Sequence, residues 1–196
     1  MNVEVVIAMQ IEYKGSPFIG ERTTLRLVDS NDLDSIMEWW NTYETRRFLL
    51  TYIPYSRSQE EEWIKGTIAK ANEKQEFAFA IINNKDGKFL GTCSLMKIDW
   101  IYRSAVAGIA IHNPDNQDKG YGSDSLISLL KFGFRMLNLH RIELSVFEFN
   151  DRAKHVYENV GFTQIGRKRK QIFFEGVYYD EILMDFLSDE FFERYP

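Results

Sequence analysis

The sequence predicts an α/β (α+β) fold, a central sheet flanked by helices, and three observations carry that reading. The apolar, strand-like run Ala105 to Ile111 is joined to the helix-like run Ser123 to Leu137 by the glycine-rich turn Gln117-Asp118-Lys119-Gly120-Tyr121-Gly122. Ala153, Val156, Tyr157 and Val160 recur at i, i+3, i+4 and i+7, the period of one helical face, and Gly161 supplies a helix stop. Ile142, Leu144 and Val146 alternate with polar neighbours across Arg141 to Phe147, the period of a half-buried strand.

The remaining elements follow in chain order. A leader, Met1 to Ile19, precedes a first strand at Thr23 to Leu27. Asp29 to Asn31 offers helix caps ahead of Leu33, Ile36, Met37 and Trp40, which recur at helical spacing. Arg46 to Tyr55 is irregular and rich in Tyr, Phe and Leu. Ser58 followed by Glu61 resembles a capping box that opens a second helix, Gln59 to Ala71. Phe77 to Ile82 and Leu90 to Ile98 read as strands joined across Asn83-Asn84-Lys85-Asp86-Gly87, a hairpin turn signal. Leu126, Ile127, Leu130, Phe134 and Leu137 give the helix from Ser123 a stripe suited to packing on a sheet. Gly166 to Phe173 and Val177 to Phe186 form a hairpin about Glu175-Gly176, and Ser188 to Pro196 is an aromatic, acidic tail free to pack on the body or on a second subunit.

Length and composition narrow the function classes. At 196 residues and 44% hydrophobic content the chain suits one domain, 1–196, with a substantial core. Val5 to Met9 and Phe77 to Ile82 are too short to span a bilayer, and Glu4 stands where a signal peptide carries basic residues, so a cytoplasmic protein without membrane partners is expected. The single cysteine, Cys93, lies in a strand-like run and reads as a buried thiol. A net charge of −5 disfavours nucleic acid as a partner, since that affinity comes largely from clustered Lys and Arg. Arg167-Lys168-Arg169-Lys170 is the one basic run. It suits a solvated strand, a site near an adenosine 3′-phosphate or a contact with a partner subunit.

The glycine turn presents free backbone N–H groups to a phosphate, with Gly120 and Gly122 offering no β-carbon and the following helix adding partial positive charge. A P-loop is excluded, because Lys119 precedes Gly120 and Tyr121 follows it. Gly120 to Ser125 does match the dinucleotide pattern G-x-G-x-x-small, with Glu143 at the distance of a ribose-binding acid. The turn by itself fits that fold, another pyrophosphate site, or a tight turn without a ligand.

A second constellation joins it. Asn150, Ala153, Tyr157 and Gly161-Phe162 set out N-x-x-A-x-x-x-Y-x-x-x-G-F, and Gln117, Gly120 and Gly122 set out Q-x-x-G-x-G. Together the two resemble the acetyl-CoA signature of the GNAT N-acetyltransferase superfamily. Gly20-Glu21-Arg22-Thr23-Thr24-Leu25-Arg26-Leu27 is similar to the opening strand of its ribosomal-protein branch, and Arg103 through Met184 is similar in pattern to bacterial spermidine N-acetyltransferases. The resemblance covers residues 20–187, leaving 1–19 as leader and 188–196 as tail.

That resemblance implies a mixed, mostly antiparallel sheet of order β-α-α-β-β-β-α-β-α-β-β and transfer of an acetyl group from acetyl-CoA to a primary amine. The acceptor is a protein N-terminus, a polyamine or another small amine, and a homodimer stays open. It further implies that the strands Ala105 to Ile111 and Arg141 to Phe147 splay apart, so that backbone groups about Ile109 and Ile111 meet the pantetheine arm. Gln117, Asp118, Lys119, Gly120, Tyr121 and Gly122 would give amides to the pyrophosphate, Ser123 a further donor, and Asn150 a hydrogen bond to the arm or a cap to its own helix. An N–H between Gly108 and Ile111 is the expected oxyanion donor. Tyr157 matches the family tyrosine that protonates the departing thiolate, its residue-level alternative being a core tyrosine. Where relatives carry a glutamate general base this chain has Ala107, which also keeps a non-catalytic acyl-CoA sensor in view. His112 and Asp99 are the substitute bases to examine. No paired ligand spacing suggests a metal.

Overall fold

The computed structural model describes residues 16–49 and 53–196. The first fifteen residues of the leader, and positions 50–52 of the irregular aromatic stretch, lie outside the described residues.

Among the described residues, seven strands form a single sheet in the order β1-β2-β3-β4-β5-β7-β6. They are β1 (Thr23–Leu27), β2 (Phe77–Asn83), β3 (Phe89–Asp99), β4 (Ser104–Ile111), β5 (Arg141–Phe147), β6 (Thr163–Phe174) and β7 (Val177–Leu187). Every pairing is antiparallel except β4 with β5, which is parallel. The helices are α1 (Leu33–Trp40), α2 (Tyr43–Arg46), α3 (Arg57–Asn72), α4 (Tyr121–Lys131), α5 (Asp151–Val160) and α6 (Ser188–Arg194).

Period-two alternation explains how one sheet serves two cores. Along β2, Phe79 and Ile81 join the larger cluster with Leu126, Leu130 and Tyr157, while Ala78 and Ala80 meet Leu33, Ile36 and Ile64 of α1 and α3. Small alanines on that second face let the two helices sit close to the sheet. Cys93 is buried in the larger cluster, and its apolar surroundings push the thiol pKa upward, so it is a packing residue.

Three expected boundaries move. The capping box of α3 is built by Ser56 and Gln59 rather than Ser58 and Glu61, because Ser56 holds the extended backbone that an N-cap needs (φ −75°, ψ 158°). Asp29 caps a short 3-10 turn, Ser30–Asp32, ahead of α1. The long helix from the glycine turn ends at Lys131 and continues as one π-helical turn, Phe132–Met136. There a β-carbon on Gly133 would lie 2.6 Å from Ile142 Cδ1, so the widened turn rests directly on the sheet. The tail packs on the body: Phe191 is fully buried, and the Tyr195 hydroxyl donates to the Val160 carbonyl (2.9 Å).

Candidate functional site

The pairing of β4 with β5 covers only Ser104, Ala105 and Val106 against Arg141, Ile142 and Glu143. Beyond that point β5 stays paired to β7 and β4 to β3, so the two central strands part. Direction can be read from the ladder. His112 donates its N–H to the Leu90 carbonyl (2.9 Å) beside the Gly91–Ile111 pair, so by alternation Ile109 and Ile111 turn their N–H and C=O groups away from β3 into the gap. The Ile111 carbonyl is met there by Gln117 Nε2 at 3.1 Å. Unpaired strand groups of this kind need an outside partner, and an extended amide chain supplies one.

A cavity of about 370 Å³ occupies the gap. Ile109, Ile111, Val146 and Phe147 form its floor, and Asn150, Val156 and Tyr157 of the α5 region one wall. At its mouth lies the glycine turn. Asp118 (φ 57°) and Gly120 (φ 79°) both adopt the left-handed conformation, the kind of backbone alternation that gathers N–H groups into an anion-binding concavity. Among the described residues, no turn or loop hydrogen bond uses the N–H groups of Asp118, Lys119, Gly120, Gly122 or Ser123. Gln117, Asp118, Gly120, Gly122 and Ser123 line the cavity. The side chains of Lys119 and Tyr121 do not: Lys119 is exposed, and the Tyr121 ring packs on the core with its hydroxyl 3.4 Å from Asn83 Nδ2. Strand groups left unpaired by the sheet and free turn amides thus face one cavity.

Asn150 keeps both of its expected options, since its side-chain oxygen caps α5 by accepting from Ala153 N (3.2 Å) while the residue also lines the cavity. Tyr157 is 8% exposed and burial pushes its phenol up to about 12. Its hydroxyl has no protein partner among the described residues, yet it is not among the sealed polar atoms, so it opens on the cavity. The tyrosine is thus both a core residue and a cavity residue.

The two substitute bases are displaced by geometry. Asp99 pairs with Ser104 at the far end of β4 from the glycine turn, and its carboxylate caps the hairpin by accepting from Ile101 N and Tyr102 N. His112 is 1% exposed beneath Trp40 and Phe89, does not line the cavity, and is pushed down to about 4 by burial, which keeps it neutral. Ala107 is buried in the sheet opposite Leu95. Sequence reasoning missed the carboxylate that does line the cavity on the α2 side, Glu44. Its signal was position alone, two residues before the aromatic stretch.

That side of the cavity is aromatic. Phe48 and Phe147 line it, and behind them Phe149 contacts both (6.1 and 5.5 Å) and stacks on Phe174 of the β6–β7 hairpin (5.4 Å). Tyr43 of α2 donates its hydroxyl to Glu175 at the hairpin tip, tying the two walls together. The Arg47 guanidinium lies 4.9 Å from the Phe48 ring centroid and that of Arg152 5.8 Å, with Arg152 also donating to Gln117. The basic run instead belongs to edge strand β6, where Arg167 bonds Glu148 and Asp180 (both 3.0 Å) and Lys168 bonds Glu181 (2.9 Å). Among the described residues, no cluster of His, Cys, Asp and Glu could hold a metal ion, and no helix is long and apolar enough to cross a membrane.

A sheet parted between parallel neighbours, with a glycine turn at its mouth and a tyrosine on its wall, defines an acyl-CoA-dependent transferase fold. The acetyltransferase (GNAT) domain family matches residues 22–163, and the chain belongs to it. It is an acetyl-CoA-dependent N-acetyltransferase of amines. A spermidine N(1)-acetyltransferase of Vibrio cholerae is 28% identical over 179 residues, 90% of this chain and 99% of that protein. The crystal structure of a spermidine N-acetyltransferase from Vibrio cholerae in complex with CoA and spermine superposes with a TM-score of 0.78 at 29% identity, covering 87% of this chain and 98% of that one. A putative ribosomal N-acetyltransferase of Bacillus subtilis is 23% identical over 178 residues, 88% of this chain and 94% of that protein.

Proposed function

We propose that the acceptor is a peptide N-terminus or a small amine that is not a polyamine, and that Tyr157 is the group that meets the leaving sulfur. The observation that carries the acceptor reading is the pair of guanidiniums, Arg47 and Arg152, set over Phe48 where that ring lines the cavity. A polycation entering there meets like charge and an apolar wall. A neutral or partly acidic amine meets favourable charge and ring contacts.

When bound, acetyl-CoA supplies the activated acetyl group, and the chain's own groups do the rest. The Gln117 N–H is already given to the Pro114 carbonyl (3.0 Å), so the backbone N–H groups from Asp118 to Ser123 bind the pyrophosphate, and Ile109, Ile111 and Asn150 orient the arm. An N–H of β4 between Gly108 and Ile111 faces the acetyl oxygen. Tyr157 holds a proton near the sulfur. A phenol near 12 is a weaker acid than a free thiol at about 8.5, so full transfer from Tyr157 alone runs uphill by about 5 kcal/mol. The attacking nitrogen becomes strongly acidic as it bonds carbon, and the proton it sheds replaces the one Tyr157 lends. The tyrosine then works as a hydrogen-bond donor and relay, without requiring a carboxylate at Ala107.

A second reading, polyamine acetylation, is favoured by the CoA and spermine complex of the Vibrio cholerae relative and by Glu44 on the cavity wall. A side-by-side assay separates the two, using spermidine, spermine and peptides beginning with Ala, Ser or Met at two salt concentrations. Turnover of a peptide with little salt dependence is the expected result. Efficient acetylation of spermidine that weakens steeply as salt rises, with no peptide turnover, overturns the proposal.

A further inference from the structure

The glycine turn has a cation beside it that no part of the motif includes. At the start of β1, the Asp124 carboxylate in the first turn of α4 accepts from the N–H groups of Glu21 (2.9 Å), Arg22 (3.1 Å) and Thr23 (2.9 Å) and from the Thr23 hydroxyl (2.6 Å). The approach is close enough that a β-carbon on Gly20 would fall 2.3 Å from Asp124 Oδ2. The backbone of Arg22 is therefore pinned to the helix that follows the phosphate turn, and its side chain lies across Gly120. Arg22 Nε and Cζ stand 3.4 and 3.8 Å from where a β-carbon at position 120 would be.

The guanidinium itself is unclaimed. Among the described residues no carboxylate pairs with it and no acceptor takes its N–H groups, and the residue is exposed. The basic run read as a site near the 3′-phosphate is differently placed, with Arg167 and Lys168 ion-paired on the edge strand β6. CoA carries two anionic groups, the pyrophosphate and, beyond it, the 3′-phosphate of the adenosine ribose. Gly120, Gly122 and Ser123 line the cavity, whereas Arg22 stands on the flank of Gly120 and does not. The group it can reach is the one that projects past the turn.

We propose that Arg22 binds the 3′-phosphate of CoA and gives the protein its preference for CoA over dephospho-CoA, with Asp124 as the positioning residue that fixes where Arg22 stands. The guanidinium fork matches phosphate oxygens two at a time, which a lysine on the same backbone does not. This inference rests on the use of acetyl-CoA and is indifferent to which amine accepts.

Calorimetric titration of CoA and dephospho-CoA into the wild type, Arg22→Ala and Arg22→Lys is the test, with thermal melts to check folding. Because Asp124 grips backbone N–H groups rather than the Arg22 side chain, both variants should melt with the wild type. The wild type should prefer CoA. Arg22→Ala should weaken CoA binding by about five- to ten-fold, a range that allows for solvent exposure, and leave dephospho-CoA within about two-fold, while Arg22→Lys recovers part of the loss. Equal weakening of both ligands, no weakening of either, or a wild type that does not discriminate would each overturn the assignment.

Discussion

Burial moves two titratable side chains in opposite directions, and the cavity decides what each is for. Tyr157 is pushed up to about 12 but keeps its hydroxyl on the cavity, so it carries its proton at every physiological pH. Tyr157→Phe preserves the ring and its packing on Phe162. Acetyl-CoA affinity should therefore stay close to the wild type while turnover at saturating amine falls roughly ten- to ten-thousand-fold. Unchanged turnover would leave Tyr157 a packing residue. His112 is pushed down to about 4 and is sealed away, with Nδ1 unpartnered and Nε2 only 3.3 Å from Thr92 Oγ1. The unfolded chain takes up this proton below about 6.5 and the folded one only near 4. Its contribution is thus intact above pH 6.5 and is lost as pH falls toward 4, by about 2 kcal/mol between pH 7 and 5. Urea denaturation at those two pH values should show that loss in the wild type and a smaller one in His112→Gln. Tyr157 and Asn150 were legible in the sequence because a motif spaces them. The place of His112 was not, because only the fold shows that the end of β4 turns under Trp40 and Phe89.

At the scale of elements, the strands were the most readable. β1 and β5 fall on their expected residues, since alternation and β-branched content mark a half-buried strand within a few positions. The parting of β4 and β5 has no local signal. It depends on pairing between segments separated by a whole helix, so it entered through the resemblance and was then visible in the register. Helix ends were the least readable, because serines compete for one cap and a single dihedral pair settles which wins, as with Ser56 over Ser58. The glycine turn ties element to function. Gly120 needs its left-handed backbone, so substitution there confounds strain with binding. Gly122 does not: its φ is ordinary and a β-carbon would meet only Ile111 Cγ1, at 3.9 Å. Gly122→Val should consequently fold and melt near the wild type while its branched side chain fills the cavity mouth against the pyrophosphate. Calorimetry should find CoA affinity reduced by at least about ten-fold, roughly the loss of one charge-assisted contact set. Normal affinity in the folded variant would remove the turn from the site.

For the whole molecule, the tail is the element whose role composition left open between body and second subunit, and packing decides it. Phe191 is fully buried, 5.0 Å from the Phe134 ring and 5.8 Å from Phe186, so it joins the π-helical turn, β7 and α6 into one core. Around it the tail grips the end of the tyrosine helix: Arg194 donates to the Asn159 carbonyl (2.7 Å), and the Tyr195 hydroxyl donates to that of Val160. Gly161 is held in the same place, since a β-carbon there would lie 2.6 Å from Phe186 Cζ. α5 is therefore clamped at both ends, by the Asn150 cap and by the tail, and Tyr157 sits between the clamps. Phe191→Ala leaves a cavity that ring neighbours on three elements cannot close together, so it should cost about 3–5 kcal/mol of global stability. Urea denaturation should show a lower midpoint with an unchanged slope, as expected when the tail unfolds with the body as one unit. A separate early transition, with the main one unmoved, would show instead that the tail is an appendage and that the Tyr157 helix holds its position without it.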